Sequence, residues 1–277
     1  MSQILCSTGA LIGMPNGRNH KLLEAFAQQL ACDGFEFMMY STWYDRVEEL
    51  VADLLALQLN IPVVHCDKRI SEGITRGEAG DLEEAIRLFD INCNIAHRLG
   101  AKKMVFHLWN GFISDSNIQN NICAYKDLAQ IARAHQVDLL VENVVCNHEN
   151  PLKHWCSLAQ VYPHIHFIFD TKMAAFHRQL EQLYSEEYAW LWREGRIAHY
   201  HVNDYAGGYL DWNNLRTLPI GRGHIDFDQF FEFIRRTGYD NAFTVEATAF
   251  NGEGIVDIQM LNECFEKIRQ YLAMQNR

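Results

Sequence analysis

The sequence predicts a single (β/α)8 barrel domain over residues 1–277. Two observations support this fold: short apolar runs alternate eight times with amphipathic segments, and no linker or shift in composition divides the chain. The length of 277 residues also fits this barrel, which typically needs about 250 residues. No G-x-G-x-x-G sequence follows the first apolar run, so an open dinucleotide-binding sheet loses support.

Each predicted element follows from the local spacing of its apolar residues. Short apolar runs predict strands at residues 4–6, 35–39, 61–64, 103–106, 137–141, 166–169, 197–202 and 242–245. Apolar residues at helical spacing, in two cases after a capping Asn or Asp, predict the helices between them. These helices cover residues 19–32, 43–59, 81–99, 116–135, 152–161, 173–193, 227–237 and 255–274.

Charge and cysteine usage limit the classes of partner and location. The chain has 24 Lys and Arg against 35 Asp and Glu, and this formal net charge of -11 argues against general affinity for nucleic acid. The N-terminal sequence lacks the basic and long apolar regions of a signal peptide, and no apolar run approaches the roughly 18 residues of a membrane span. The 8 cysteines are scattered without a C-x-x-C pair. We therefore expect a cytoplasmic protein with reduced thiols and no membrane partner; formation of a homo-oligomer is left open.

Four consecutive predicted strands end on polar residues that share one orientation. Side chains alternate along a strand, and Glu142, Asp170, His201 and Glu246 each point away from the apolar neighbours that face the helices. The carboxyl ends of parallel barrel strands meet at one mouth, so we expect these four side chains to converge there.

Three converging carboxylates repel one another, and burying each without a partner costs on the order of several kcal/mol. A divalent cation removes this cost. Three carboxylates and one imidazole form an oxygen-rich donor set that suits Mn²⁺ or Mg²⁺, with Co²⁺ or Zn²⁺ also compatible. The sequence therefore predicts one divalent metal ion at these four strand ends.

Short motifs along the chain resemble the xylose-isomerase-like barrel superfamily. They are VVHCD at 63–67, VFHLW at 105–109, LVEN at 140–143, FDT at 169–171, HVND at 201–204, G-x-G-x-I-D-F at 221–227 and TVEA at 244–247. The superfamily contains sugar and sugar-phosphate isomerases and epimerases, and also DNA-repair enzymes of the endonuclease IV type. The resemblance implies one catalytic metal held by Glu142, Asp170, His201 and Glu246, with a small sugar substrate at the mouth.

Departures from the motifs separate the two branches of the superfamily. The repair enzymes carry further zinc ligands, namely a His three residues after the Asp and an Asp-x-His before the G-x-G loop. This chain has Met173 at the first position and the stretch from Leu215 to Pro219 at the second. A three-zinc cluster is therefore incomplete, whereas the single-metal branch is intact. Met173 also departs from the sugar 3-epimerases, which often have a substrate-contacting His there.

Five further residues around the expected mouth are candidates for substrate binding. His65 and His107 point inward at the ends of the third and fourth strands, with hydrogen-bonded lining histidines as the alternative interpretation. Trp109 follows in a loop, where its ring could pack on a sugar or merely on the loop. Asp204 could hold substrate hydroxyls or orient a metal-binding histidine. Arg222, between two glycines, could bind a phosphate or lie solvated on the surface.

The reaction expected first is isomerisation or epimerisation of a ketose, a ketose phosphate or a polyol-derived ketone through an ene-diolate. The resemblance to epimerases implies that Glu142 and Glu246 transfer the proton, each step contributing about 10²–10⁴-fold in rate. Dehydration through the same chemistry is an alternative outcome. The second hypothesis is an endonuclease IV-like, metal-dependent phosphodiesterase acting on abasic DNA, and a third is a silent sugar-binding barrel.

Overall fold

The computed structural model of the protein describes residues 2–274 and confirms the (β/α)8 barrel. Its eight parallel strands follow one another in a closed order from β1 to β8. The strands are β1 Ile4–Ser7, β2 Gly34–Met38, β3 Val63–His65, β4 Lys103–Phe106, β5 Asp138–Glu142, β6 His166–Asp170, β7 Ile197–Val202 and β8 Phe243–Val245. The predicted domain also includes residues 1 and 275–277, which lie outside the described residues.

Helices follow the strands along the chain. They are α1 Leu23–Ala27, α2 Val47–Ala56, α3 Ile70–Arg76, α4 Asp81–Arg98, α5 Ile118–Ala134, α6 Pro151–Val161, α7 Thr171–Phe176, α8 Leu180–Leu183, α9 Ala189–Arg193, α10 Phe227–Thr237 and α11 Ile258–Ala273. Within residues 2–274, no helix combines the length and the apolar character that crossing a membrane requires.

Three helical segments differ from the sequence-based expectation. The predicted helix 173–193 is divided into α7, α8 and α9, because Arg178 adopts a left-handed φ of 54° after α7. The predicted helix 19–32 contracts to a 3-10 turn at His20–Leu22 followed by the short α1. Helix α3 was not predicted, since Gly73 within it lowers helical propensity.

The chain forms two compact units, and the first contains the residues up to Glu36 and from Phe169 onward. In this unit β1 pairs with both β2 and β8, and β7 pairs with β8 so that His201 lies opposite Thr244. Helix α10 buries Phe227, Phe230, Phe231 and Ile234, which recur at helical spacing along one face. This apolar face packs against α11, and the Phe231 ring stacks on Tyr271 at 5.0 Å.

The second unit contains residues 37–168, in which β3, β4, β5 and β6 pair in register. Each strand is buried along nearly its whole length, as expected for parallel strands covered on both faces. The indole of Trp155 on α6 stacks on Phe167 of β6 at 4.4 Å. These contacts fix the carboxyl ends of β3, β4 and β5, where polar residues follow.

The buried carboxylate of Asp115 fastens the loop that follows β5. It accepts backbone N–H groups from Asn147, His148 and Glu149 at 2.9–3.0 Å, and His154 Nε2 lies 2.9 Å away. Burial alone would raise the pKa of Asp115, but the bonds from His154 and the backbone hold it well below its usual value. Asp115 and His154 could also hold a metal ion together with the buried Cys146. Because its oxygens already accept these bonds, Asp115 serves as an anchor for the loop.

We expect Asp115→Asn to lower the free energy of unfolding by about 1–3 kcal/mol at pH 7, since an amide replaces an acceptor of several buried bonds. A carboxyl whose pKa is depressed by folding stabilises the protein above its unfolded pKa of about 3.9 and loses this contribution as the pH falls. The difference in urea midpoint between wild type and variant should therefore shrink below about pH 4. The exposed Asp127→Asn on α5 is the control. A difference that stays constant between neutral and acidic pH would contradict this role of Asp115.

Candidate active site

Three of the predicted metal ligands lie together in the first unit, at the carboxyl ends of β6, β7 and β8. His201 Nδ1 is 3.6 Å from Glu246 Oε2 and 3.9 Å from Asp170 Oδ2. Asp170 is the last residue of β6 and also caps α7, because its Oδ1 accepts the Met173 N–H at 2.7 Å. Its Oδ2 accepts a bond from Asn203 Nδ2 at 2.9 Å, which fixes the plane of the carboxylate.

Glu36 on β2 orients His201, and the sequence analysis did not identify it. Its two oxygens lie 2.9 and 3.1 Å from His201 Nε2, and Oε2 also accepts the Thr244 hydroxyl at 2.8 Å. His199 Nε2 is 3.1 Å from the same oxygen. Because a carboxylate only accepts, Nε2 of His201 carries a proton, and Nδ1 is the ring nitrogen that faces Asp170 and Glu246. A metal ion bound at Nδ1 needs this nitrogen unprotonated, and the bond from Nε2 to Glu36 leaves Nδ1 available for that role.

Glu36 remains charged although it is fully buried. Burial would raise the pKa of its carboxyl, but the nearby His201 and the hydrogen bonds from both histidines lower it well below the usual value. One signal in the sequence could have identified it. Glu36 is the charged residue between Phe35 and Phe37 in an otherwise apolar strand, so its side chain takes the inward orientation.

The second unit brings together His65, His107 and Glu142 at the ends of β3, β4 and β5. His107 Nε2 lies 2.8 Å from Glu142 Oε2, and His65 Nε2 lies 3.4 Å from the same oxygen. The other nitrogens are committed as donors. His65 Nδ1 faces the carbonyl oxygen of Cys66 at 2.9 Å, and His107 Nδ1 faces Asn110 Oδ1 at 3.0 Å.

Both imidazoles therefore turn Nε2 towards Glu142. The amide of Asn110 has a fixed orientation because its Nδ2 donates to Glu72 Oε1 at 2.7 Å. Burial lowers the pKa of His107, an effect that the negative charge of Glu142 partly offsets. One oxygen of Glu142 thus has the Nε2 atoms of two imidazoles beside it. The three buried side chains form a group that could hold a metal ion.

Asp204 bonds to the backbone of the G-x-G loop, and the substrate-binding role that we expected for it stays a prediction. Its carboxylate is fully buried and accepts four backbone N–H groups, from Tyr205, Gly221, Gly223 and Ile225. These bonds occupy its acceptor positions, so Asp204 folds the G-x-G loop against the end of β7.

Gly223 explains why the loop has glycine at this point. A Cβ at this position would lie 2.2 Å from the Tyr205 carbonyl oxygen and 2.4 Å from Asp204 Oδ1. Both distances are far below van der Waals contact. Arg222 beside it is exposed, and its role in binding substrate stays a prediction.

Trp109 is a buried residue that packs against its neighbours. Its side chain has no exposed surface, its Nε1 donates to the Val144 carbonyl at 2.9 Å, and its ring meets His154 edge-on at 5.1 Å. The expected stacking of this ring on a sugar stays a prediction. The neighbouring Phe112 is fully exposed instead.

Residues 25–264 match the family of xylose isomerase-like TIM barrels, and the chain belongs to this family. Its fold is similar to an L-ribulose 3-epimerase, with a TM-score of 0.72 and 16% identity over 98% of this chain and 95% of that chain.

Two further structures have the same fold. A 3-keto-D-glucoside 4-epimerase from E. coli matches with a TM-score of 0.68 and 16% identity, over 98% of this chain and 100% of that chain. The IolI protein with a bound zinc atom matches with a TM-score of 0.72 and 16% identity, over the same shares. At such identities the likeness shows the fold alone. A search of curated proteins finds no significant match.

We expect Gly223→Ala to lower the free energy of unfolding by about 1–3 kcal/mol, the usual cost of forcing extra volume into a packed site. The added Cβ would displace backbone and carboxylate atoms that cannot move independently. Gly252→Ala is the matched control, since nothing lies within 4 Å of a Cβ there. Thermal unfolding of the two variants should separate them clearly, and equal midpoints would contradict the close approach at Gly223.

Proposed function

We propose that the protein is a divalent-metal-dependent isomerase or epimerase that acts on a ketose, a ketose phosphate or a polyol-derived ketone through an ene-diolate. The observation that carries this proposal is the set of buried Asp, Glu and His donors at the carboxyl ends of the barrel strands. Enzymes with this fold place their chemistry at that end. Two proteins of similar fold are named as epimerases of sugars, which supports the same class of reaction.

The proposed metal ligands are Glu142, Asp170, His201 and Glu246. The spacing within the first unit supports the proposal, since His201 Nδ1 lies 3.6 Å from Glu246 Oε2 and 3.9 Å from Asp170 Oδ2. The strand register also supports the proposal, because Glu142 on β5 pairs with Ile168 on β6, two residues before Asp170. Three carboxylates and one imidazole fit Mn²⁺ or Mg²⁺ best, with Co²⁺ or Zn²⁺ also compatible.

A bound divalent cation would polarise the carbonyl and hydroxyl oxygens of the substrate and so acidify the neighbouring C–H. Glu246 is the proposed base that meets the substrate. Its side chain is 7% exposed, whereas those of Asp170 and His201 have no exposed surface. It can therefore receive a proton at the mouth while its neighbours hold their positions.

Glu142 is the proposed second base. Its Oε2 lies 2.8 Å from His107 Nε2 and 3.4 Å from His65 Nε2, so either imidazole could exchange a proton with the carboxylate. One glutamate would take the proton from the substrate and the other would return one, and each transfer contributes about 10²–10⁴-fold in rate. Substrate contacts by His65 and His107 stay a prediction.

A metal-dependent phosphodiesterase acting on abasic DNA is the second candidate. The specific observation in its favour is the cluster of His65, His107 and Glu142, which could hold an additional ion. Against it stand the net charge of -11 and the apolar Met173, which is buried where the repair enzymes have a ligand. We also propose a cytoplasmic location, supported by cysteines that form no disulfide bond within residues 2–274.

With Mn²⁺ in D₂O, we expect deuterium to enter the carbon next to the carbonyl of at least one sugar in a panel of ketoses and ketose phosphates. A proton held on a glutamate exchanges with solvent before it returns to the substrate. Proton NMR would follow the loss of signal, and an abasic-site cleavage assay would run beside it. Exchange on no sugar, together with metal-dependent nicking of abasic DNA, would favour the phosphodiesterase.

We expect Glu246→Gln to reduce the rate of this exchange at least about 10²-fold, because an amide cannot accept the proton. Binding of Mn²⁺ should weaken less, since the amide oxygen can still ligate. Glu253→Gln, exposed in the loop between β8 and α11, is the control and should exchange normally. A near-wild-type rate in Glu246→Gln would exclude it as a base.

A further inference from the structure

Lys172 is a buried cation that the proposed mechanism does not use. The residue is only 7% exposed, and its Nζ donates one hydrogen bond, to Thr217 Oγ1 at 3.0 Å. Within residues 2–274, no carboxylate lies within ion-pair distance of it. An ammonium has three N–H donors, and one of them is used by Thr217. The others can donate to a ligand.

Such an arrangement is unfavourable for the protein alone. A buried charge that lacks a counter-charge destabilises the folded state. A methionine of nearly the same length would fill the space without this penalty. The cost is offset when an anion supplied from outside completes the set of bonds.

Lys172 also stands beside the candidate active site. It is two residues after Asp170, and its partner Thr217 is held by strand ends on both sides. The carbonyl oxygen of Thr217 accepts the N–H of Thr248, two residues after Glu246, at 3.2 Å. The next residue, Leu218, exchanges two backbone hydrogen bonds with Asp204 after β7, at 2.7 and 3.1 Å. The ammonium therefore lies near the carboxyl ends of β6, β7 and β8.

We propose that Lys172 binds an anionic group of the substrate, a phosphate or a carboxylate, with the Thr217 hydroxyl as a second donor. Thr217 Oγ1 accepts from the ammonium and keeps its own O–H to donate to the same anion. The compact, flexible ammonium binds such oxygens as a point charge. The inference rests on the proposed function and narrows its substrate class from any ketose to an anionic one.

The test uses the whole protein freed of metal by a chelator, so that anions cannot bind to a metal ion. Calorimetric titrations with inorganic phosphate and with acetate compare wild type with Lys172→Met, Lys172→Arg and the exposed control Lys126→Met. Charged hydrogen bonds of this kind predict a loss of about tenfold to a hundredfold in anion affinity for Lys172→Met. Lys172→Arg should retain most of the affinity, and the control should equal wild type.

Thermal unfolding without added anion provides a readout of stability that is separate from anion binding. Lys172→Met should unfold at the wild-type midpoint or above it without phosphate, because the substitution removes a poorly compensated buried charge. Added phosphate should raise the midpoint of wild type and not that of Lys172→Met. A large drop in the midpoint of Lys172→Met would instead assign the lysine to structure and overturn the proposal.

The outcomes separate the two possible anions and the two proposals. Tighter binding of phosphate indicates a sugar phosphate, and tighter binding of acetate indicates a sugar acid. Equal anion binding by wild type and Lys172→Met, or none by wild type, overturns the inference even if neutral ketoses exchange deuterium. Binding that depends on Lys172, with no exchange on any sugar, supports the anion site while contradicting the proposed reaction.

Discussion

The ionised carboxylate of Glu36 is the constraint on which the candidate site depends. It is buried on β2 and receives hydrogen bonds from His201 on β7 and Thr244 on β8. A charge in this position is tolerated only because donors surround it, and removing one partner would leave the others poorly compensated. Its consequence for chemistry is a fixed orientation of the His201 ring, in which Nδ1 faces Asp170 and Glu246.

In the second unit, uncharged acceptors orient two histidines in the same way. A carbonyl fixes His65 and an amide fixes His107, so that both direct Nε2 towards Glu142. The backbone is held by two further carboxylates, because Asp115 anchors the loop after β5 and Asp204 anchors the loop after β7. Buried acidic groups thus do two different jobs at the strand ends. Asp115 and Asp204 hold loops by accepting backbone N–H groups, while Glu36 accepts a side-chain N–H and so orients His201.

The repeating pattern of the sequence predicted the fold because each strand of a parallel barrel is a short apolar run between amphipathic segments. A left-handed backbone conformation, such as that of Arg178, leaves no mark on the spacing of apolar residues. The division of the predicted helix 173–193 was missed for that reason. Parity along a strand also identified the inward orientation of Asp170, His201 and Glu246. Parity could not show that the Asp204 carboxylate bonds to the backbone. Those partners lie in a loop 17 to 21 residues further along the chain, and the path of a loop does not follow from strand parity.

The central claim is that Asp170, Glu246 and His201 belong to one site for a divalent cation, and that Glu36 orients His201 in this site. Titration of the metal-free protein with Mn²⁺, followed by the electron paramagnetic resonance of the free ion, tests it most directly. The account predicts one tight site per chain in wild type and an affinity about 10–100-fold lower in Glu36→Gln, the usual effect of losing a partner that orients a ligand. A wild-type protein without saturable binding, or a Glu36→Gln variant that binds as tightly as wild type, would contradict it.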